Sequence, residues 1–586
     1  MTEQGMVGMV ESVQCKVRDS TGMYASRAPG IYGSPTNGVY GSPGKHMANR
    51  HNASEDDKPK RLSTNSNGSV SKHKRSVSAG GGSIGEEEEG EDYSYVESQK
   101  HLLEPTHYNP LPNRVPPPIA ALAGNIGERH VLVMLGLPCR GKMFTSRRLQ
   151  RYLKFFHGAD CRRFDVCDYT SDEGSESSSF TDLFDDLYKF LHKEDWSAQT
   201  NIRLYEDGDM DDPRKKNVDS GRVAILFASD SEAAFQETWS GSSKERRRLI
   251  CEQLSSMRDV RVKVIFVELI CTDPELIKSN ILRKVHASVP TELDDSTRGA
   301  IVAEWEKKII GYRRKYVTMQ DDGSEDDLSY IKLIDYGEKV VTNSIHGYLP
   351  MRIVQFLSNI HTKSHSIYLT RHGQSEYNVL KKLGGNPPLT EYGREYSRRL
   401  GKFAKEVCCK NAQGQEVPAR LWTSSLQRTI ETAQYVPHPV ICEGTWHQMS
   451  NRVYRNLDEI FAGEYEGMTY DQIEKRHGTE ATLRKMDKIG YRYPRGESYF
   501  DLIARLDPLV HELESYTEPI LVVSHQATLR VIYSYFMDID RELAPKQDIS
   551  LHTVFKITYD GFLEQPVLEK FYLGPEVAPT HQTETK

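Results

Sequence analysis

Nothing in the 586-residue chain approaches the run of about 18 to 20 apolar residues needed to cross a bilayer, so a membrane-spanning segment is not expected. A basic excess is missing too. The net charge is −7 with acidic and basic residues intermixed, which leaves no surface built to release counterions from a nucleic acid. Neither a nucleic acid nor a membrane is therefore an expected partner. The nine cysteines show no paired spacing, and Cys408 and Cys409 are adjacent, so neither a zinc site nor a disulfide framework is signalled. No basic-then-apolar targeting segment opens the sequence, and a reducing, cytoplasmic setting is the expectation. Sustained apolar periodicity is also absent from residues 1–125, which are rich in Gly, Ser, Pro, Asn and charge and cannot offset their ordering entropy by burial. This segment is expected to be a disordered regulatory tail. It holds a repeat, Tyr32-Gly33-Ser34-Pro35 and Tyr40-Gly41-Ser42-Pro43, an acidic run from Glu86 to Glu89, and basic residues ahead of Ser63, Ser76 and Ser78 that suit basophilic protein kinases.

Apolar order begins at His130, and the length fits two folded domains behind the tail. His130 to Leu135 reads as a buried strand, Gly136 to Met143 as a glycine loop, and Thr145 to Phe156 as a helix with Leu149, Leu153 and Phe156 on one face. Val223 to Phe227, Val262 to Val267 and Tyr330 to Ile334 are further buried strands, separated by helical segments such as Ala300 to Tyr316. That alternation predicts an α/β fold in which helices cover a parallel sheet, over residues 126–362. A second α/β domain, residues 363–575, starts with the strand Ser366 to Thr370. It continues through Leu421 to Thr423 and a helix after Ser424, returns to the sheet at Ile520 to Ser524, and is expected to finish with Thr553 to Thr558 before a short tail, 576–586.

Three stretches carry chemistry. The run Ile367 to Thr370 breaks into Arg371-His372-Gly373, and the run Ile520 to Val523 ends in Ser524-His525. Two histidines at strand ends suggest one shared site, where ligands of open α/β folds collect. The third stretch, Gly136-Leu137-Pro138-Cys139-Arg140-Gly141-Lys142-Met143, has the spacing of a phosphate-binding loop. Gly136, Gly141 and Lys142 are its candidate nucleotide-binding residues, with backbone N–H groups cradling an anion and the lysine reaching a terminal phosphate. The position that normally carries a Mg²⁺-binding hydroxyl holds Met143, whose soft thioether is a poor ligand for a hard cation.

On these motifs, residues from about 127 to 575 resemble the 6-phosphofructo-2-kinase/fructose-2,6-bisphosphatase family, in which a kinase half precedes a phosphatase half. In the first half the resemblance is one of architecture. The family's Asp-Ala-Thr-Asn aligns with Phe227-Ala228-Ser229-Asp230, and its Tyr-Arg-Arg-Glu with Tyr169-Thr170-Ser171-Asp172. A lysine near the nucleotide phosphates falls at His286, and an insertion separates Asp230 from Lys244-Glu245-Arg246-Arg247. Losses at the metal, the catalytic carboxylate, the sugar phosphate and the nucleotide imply a degenerate kinase-like domain, with Asp230 as an alternative carboxylate. ATP binding without turnover, sensing of another anion, and a scaffold for dimerisation or for the phosphatase are the roles left open to it.

Arg371-His372-Gly373 also resembles the signature of the histidine phosphatase superfamily, which includes the phosphoglycerate mutases. Phosphoryl transfer needs an in-line nucleophile, cations around the transferring oxygens and a proton for the leaving alkoxide. The resemblance implies that His372 attacks and becomes a phosphohistidine, that Arg371 and Arg428 clamp the phosphate, that Asn378 adds a neutral donor, and that His525 is a charged partner. Glu459 matches the acid, its protonated form favoured by a neighbouring phosphate, with Asp458 beside it as the competitor. The bisphosphatase's sugar and second-phosphate contacts match Gly384, Tyr470, Arg484, Lys488, Tyr499, Gln526 and Arg530. Arg484 and Lys488 stand at i and i+4 on one helical face. Gln374 in place of Glu and Lys382 in place of Arg touch affinity rather than chemistry. The implied activity is hydrolysis of fructose 2,6-bisphosphate to fructose 6-phosphate and phosphate, without a metal or other cofactor, in a homodimer with no effective kinase activity. A bifunctional enzyme with residual kinase activity, a broader sugar-phosphate phosphatase and a regulatory binding protein are the alternatives.

Overall fold

The computed structural model describes residues 129–169, 176–192, 221–229, 240–257, 261–288, 295–411, 413–559 and 566–574. The segment 1–125 with Ser63, Ser76 and Ser78, the residues Thr170 to Asp172, Asp230, the side chain of His286 and the tail 576–586 lie outside them.

The first half is organised by β1 (Arg129–Leu135), which is buried along its whole length. Its two side-chain parities enter two different cores. Val131, Val133 and Leu135 face one and Leu132 and Met134 the other, as a strand covered on both faces requires. The helix that follows the glycine loop, α1 (Lys142–His157), covers the second face, and α2 (Glu176–Leu191) covers the first after β2 (Asp160–Asp165). The chain continues through β3 (Arg222–Phe227), α3 (Lys244–Ser255), β4 (Val262–Ile270), α4 (Pro274–Ser288), α5 (Asp295–Arg313), β5 (Tyr330–Ile334), β6 (Lys339–Asn343) and α6 (Tyr348–Leu357). The sheet order is β2-β3-β1-β4-β5-β6, parallel except for β6.

The second half runs β7 (His365–Arg371), α7 (Glu376–Val379), α8 (Glu391–Phe403), β8 (Arg420–Thr423) and α9 (Gln427–Ala433), then β9 (Val440–Ile441) and β10 (Trp446–His447), which pair as a hairpin. It continues with β11 (Asn451–Val453), α10 (Tyr470–Arg476), α11 (Gly478–Met486), α12 (Tyr499–Ser515), β12 (Ile520–Ser524), α13 (Gln526–Phe536), β13 (Thr553–Tyr559) and β14 (Val567–Tyr572). Its sheet order is β11-β8-β12-β7-β13-β14, with β13 and β14 antiparallel. The protein is thus a largely parallel-sheet α/β domain followed by a second α/β domain with a mixed sheet.

The sequence reading missed β2, β6 and β14, as well as the short β9, β10 and β11. β13 is not the last strand, because β14 pairs outside it at the sheet edge, where Glu569 and Lys570 interrupt the apolar pattern that would have revealed it. β2 escaped notice for a similar reason. Its sequence Asp-Cys-Arg-Arg-Phe-Asp reads as a polar loop, yet it forms an edge strand, where charged side chains are tolerated. The half-exposed β6 is the other edge of the same sheet. The helix expected from Thr145 begins earlier, at Lys142, because the glycine loop feeds directly into its first turn.

The halves are fused rather than strung together. One apolar core runs from Leu132, Tyr152 and Phe356 of the first half to Leu506, Leu529 and Phe555 of the second. Polar contacts cross the same surface between α1 and α12. Tyr152 Oη donates to Asp507 at 2.9 Å and meets His511 Nε2 at 2.9 Å, while its ring stacks on Phe356 at 4.4 Å. Fully buried Glu514 pairs with Arg148 and, at 3.3 Å, with Arg151, and accepts from Tyr535 Oη at 2.7 Å.

Candidate active site

β7 and β12 lie side by side in parallel, with Arg371 in register with Ser524, so the next residue of each strand is a histidine at the same sheet edge. His372 N–H donates to Ser524 O at 3.0 Å, and the rings of His372 and His525 stand 5.2 Å apart, both buried. Gly373 permits this packing, since a Cβ there would stand 2.6 Å from Gly393 O.

Hydrogen bonding selects the reactive nitrogen. His372 Nδ1 faces the carbonyl of Gly373 at 2.7 Å, an acceptor, so Nδ1 carries the proton and Nε2 keeps its lone pair. Burial, then Arg428 and Arg371, hold the basicity of His372 well below the usual range, which favours the neutral imidazole. His525 is pushed down in the same way by burial, Arg428 and His372. Burial beside two guanidinium groups thus disfavours the charged form of His525 in the free site. Ser424 Oγ stands 2.7 Å from its Nε2. Nδ1 of His525 and Nε of Arg371 are buried without protein partners, and the guanidinium N–H is a donor in a position to meet an anion. Arg371 also donates to Ile549 O at 3.0 Å, and Arg428 to Gly385 O at 2.7 Å. Burial lowers the pKa of Arg371 to about 10, still well above neutrality.

The adjacent carboxylates separate by role. Asp458 accepts from Ser425 N–H at 2.8 Å and from its hydroxyl at 2.7 Å, which holds the loop before α9. Glu459 instead reaches the first turn of α13, accepting from Gln526 N–H and Ala527 N–H at 3.1 Å each. Its charge is felt by Arg371, Arg428 and Tyr499, which places it between the phosphate clamp and the next pocket. Asn378, at the end of the short α7 turn, accepts through Oδ1 from Ser375 N–H at 2.9 Å, leaving its Nδ2 hydrogens to donate elsewhere.

Beyond Glu459 lies a cluster of cations and phenols. Arg530 donates to Gln547 O at 2.6 Å and to Tyr499 Oη at 3.4 Å. Lys488 donates to Pro545 O at 3.0 Å, and burial followed by Arg530 and Arg484 lowers its pKa to about 8. Arg484 lies over the rings of Tyr470 and Tyr493, at 5.3 and 5.4 Å. Gly384 adopts φ +58 against the carboxylate of Glu466, leaving no room for a Cβ. Glu466 accepts from Gly385 N–H and from Ala462 N–H, so it ties the glycine loop to the segment that follows the acid.

The glycine loop of the first half is built differently. Gly136 and Gly141 take φ +132 and +82, and Lys142 Nζ donates to Gly136 O at 3.0 Å and Leu137 O at 3.1 Å, folding the ammonium onto its own loop. Met143 is 45% exposed where a magnesium-binding hydroxyl would stand, and Phe227 at the end of β3 is packed into the core. Neither the Met143 thioether nor the Phe227 ring offers an oxygen to Mg²⁺ at these two positions. Tyr169 donates to Asp186 at 3.0 Å.

Reading the sequence missed Ser424, Thr432, Glu466 and His552. Thr432 Oγ1 accepts from Gly373 N–H at 2.9 Å, and His552 Nε2 accepts from Gln374 N–H at 3.2 Å, so both brace the nucleophile loop from behind. Only Ser424 lay in a motif the sequence singled out. Among the described residues no group of three or more His, Cys, Asp and Glu side chains converges as a metal site, and no helix is long and apolar enough to cross a membrane.

Family models agree with this division. The one described as 6-phosphofructo-2-kinase matches residues 122–364, and the one described as histidine phosphatase superfamily (branch 1) matches residues 367–571. The chain is 36% identical over 437 residues to the 6-phosphofructo-2-kinase/fructose-2,6-bisphosphatase of Caenorhabditis elegans, spanning 73% of this chain and 86% of that one. It is 35% identical over 455 residues to human 6-phosphofructo-2-kinase/fructose-2,6-bisphosphatase 4, spanning 77% and 87%. Against isoform 3 of Rattus norvegicus the identity is 33% over 452 residues, spanning 77% and 73%.

Proposed function

We propose that this chain, which belongs to the 6-phosphofructo-2-kinase/fructose-2,6-bisphosphatase family, is a fructose-2,6-bisphosphatase whose kinase-like half does not turn over. The observation that carries the reading is the buried pair His372 and His525, with Arg371, Arg428 and Glu459 on one side and Arg484, Lys488 and Arg530 beyond. The substrate's 2-phosphate lies among Arg371, Arg428 and Nδ1 of His525, and its 6-phosphate among the distal cations. His372 Nε2 attacks phosphorus. The bond from phosphorus to the C2 oxygen breaks as the bond to nitrogen forms, and Glu459 gives its proton to the leaving oxygen, releasing fructose 6-phosphate. Water then gives a proton to Glu459 and attacks the phosphohistidine, freeing phosphate and restoring both residues. A neutral His372 suits the first step, and the guanidinium groups supply the positive charge.

Kinase loss rests on Met143, Phe227 and the inward fold of Lys142, which remove the metal hydroxyl and the strand-end carboxylate. Each such loss is worth on the order of 10² to 10⁴ in rate, so together they leave no ordinary turnover. The test pairs both assays on the full chain. Substrate labelled at the 2-phosphate should give an acid-labile phosphohistidine that is absent in His372→Ala, with hydrolysis insensitive to EDTA, while Mg-ATP and fructose 6-phosphate give no bisphosphate. Faster hydrolysis of 3-phosphoglycerate or fructose 1,6-bisphosphate would assign a broader phosphatase, and kinase turnover at an enzymatic rate would overturn the second half of the reading.

A further inference from the structure

The segment that carries Glu459 has no sheet to hold it. After the short turn Arg455 to Leu457 the chain runs irregularly to Ala462, and its carbonyls need partners. One side chain meets three of them. Arg505, on α12, donates to Asn456 O at 2.5 Å, to Asp458 O at 2.8 Å and to Glu459 O at 3.2 Å. The rest of its fork is spent on Glu497, with Nε to Oε1 at 2.9 Å and a terminal nitrogen to Oε2 at 3.2 Å. Glu497 in turn accepts from Phe461 N–H at 3.0 Å, and its own N–H donates to Phe461 O at 2.8 Å. The return bond comes from Asn456 Nδ2 to Arg505 O at 2.6 Å. The ion pair therefore brackets Glu459 on both sides, from Asn456 to Phe461, and fixes where its carboxylate meets the first turn of α13.

We infer that Arg505 and Glu497 form a clamp that positions the general acid, a role distinct from substrate binding. Only a guanidinium has a planar fork that can take a bidentate carboxylate and a row of carbonyls together; an ammonium offers the charge without that geometry. Arg505 is rooted six residues beyond Tyr499 on one helix, so the clamp also sets the acid against the pocket for the distal phosphate. This inference rests on Glu459 acting as the acid in the proposed hydrolysis.

Leaving-group dependence separates positioning from general weakening. A sugar alkoxide needs a proton as it departs, whereas p-nitrophenolate leaves readily without one, and kcat/KM reports the steps up to release of the first product. Arg505→Lys should lower kcat/KM for fructose 2,6-bisphosphate about 10- to 100-fold, within the range of general acid catalysis, and change that for p-nitrophenyl phosphate by less than about threefold. Glu459→Gln should show the same selectivity with a larger loss, and Glu497→Gln the same with a smaller one, which keeps the test usable if the lysine variant folds poorly. Equal losses on both substrates in Arg505→Lys and Glu497→Gln, beside a selective Glu459→Gln, would overturn the clamp and leave the acid in place. A Glu459→Gln variant indifferent to the leaving group would overturn the acid assignment, and the clamp with it.

Discussion

The two halves each present a phosphate site at the ends of parallel strands, and they handle it in opposite ways. In the second half polar atoms point at nothing in the protein: Nε of Arg371, a donor, and Nδ1 of His525 are buried without partners. In the first half Lys142 is satisfied by the carbonyls of its own loop, and the end of β3 carries a phenyl ring. Buried, unsatisfied donors cost free energy and persist where a ligand will meet them; donors turned inward need no ligand. The strands and helices of the first half are held by two apolar cores on either face of its sheet, so its architecture does not depend on which side chains line the glycine loop.

The sharpest way to break this comparison is to disable each site in turn. His372→Ala should lower bisphosphate hydrolysis by at least about 10⁴, as expected for loss of a nucleophile, whereas Lys142→Ala should leave it within about twofold; a comparable loss from Lys142→Ala in steady-state assays would show the first site to be active in the reaction. The next largest effect tests whether the halves are one unit. Glu514→Ala leaves Arg148 and Arg151 buried and facing each other, and should cost about 3 to 5 kcal/mol in urea unfolding with a single transition for the described core. A change below about 1 kcal/mol would mean that the halves are merely tethered.

A smaller effect distinguishes the two cationic sites by pH. Lys488 is charged below its lowered pKa of about 8 and loses its proton as pH rises through that value. Affinity for the distal phosphate is therefore present at neutrality and falls on the alkaline side. The kcat/KM for the bisphosphate should decline above pH about 8, by no more than about tenfold per unit for a single ionisation, and Lys488→Arg should flatten that limb. An unchanged alkaline limb in the variant would remove Lys488 from the substrate pocket.

Much of the fold was legible because buried parallel strands announce themselves. Runs such as Val131-Leu132-Val133-Met134 and Leu521-Val522-Val523 are apolar on both parities and have no other use. Edge strands were not, since Asp160 to Asp165 and Val567 to Tyr572 carry charge at positions that a central strand would keep apolar. In the candidate site, the residues inside motifs were visible and the braces behind them were not. Glu466, Thr432 and His552 act through single backbone N–H groups distant in sequence, and a lone polar residue carries no pattern that periodicity can detect.

By itself the sequence determined that two histidines end two apolar strands, that a glycine loop lacks its hydroxyl, and that two long α/β units follow a tail without apolar periodicity. Those are properties of local pattern, and local pattern is written in neighbouring residues. Only the tertiary structure decided that Arg371 and Ser524 share a register and so bring His372 beside His525, and that Glu459 rather than Asp458 meets the first turn of α13. It decided too that the proton affinity of His525 is pushed down, because burial and the nearness of Arg428 lower it and neither can be read along a chain. Distance and dielectric belong to the folded molecule, and they gather residues far apart in sequence around a strand-end motif.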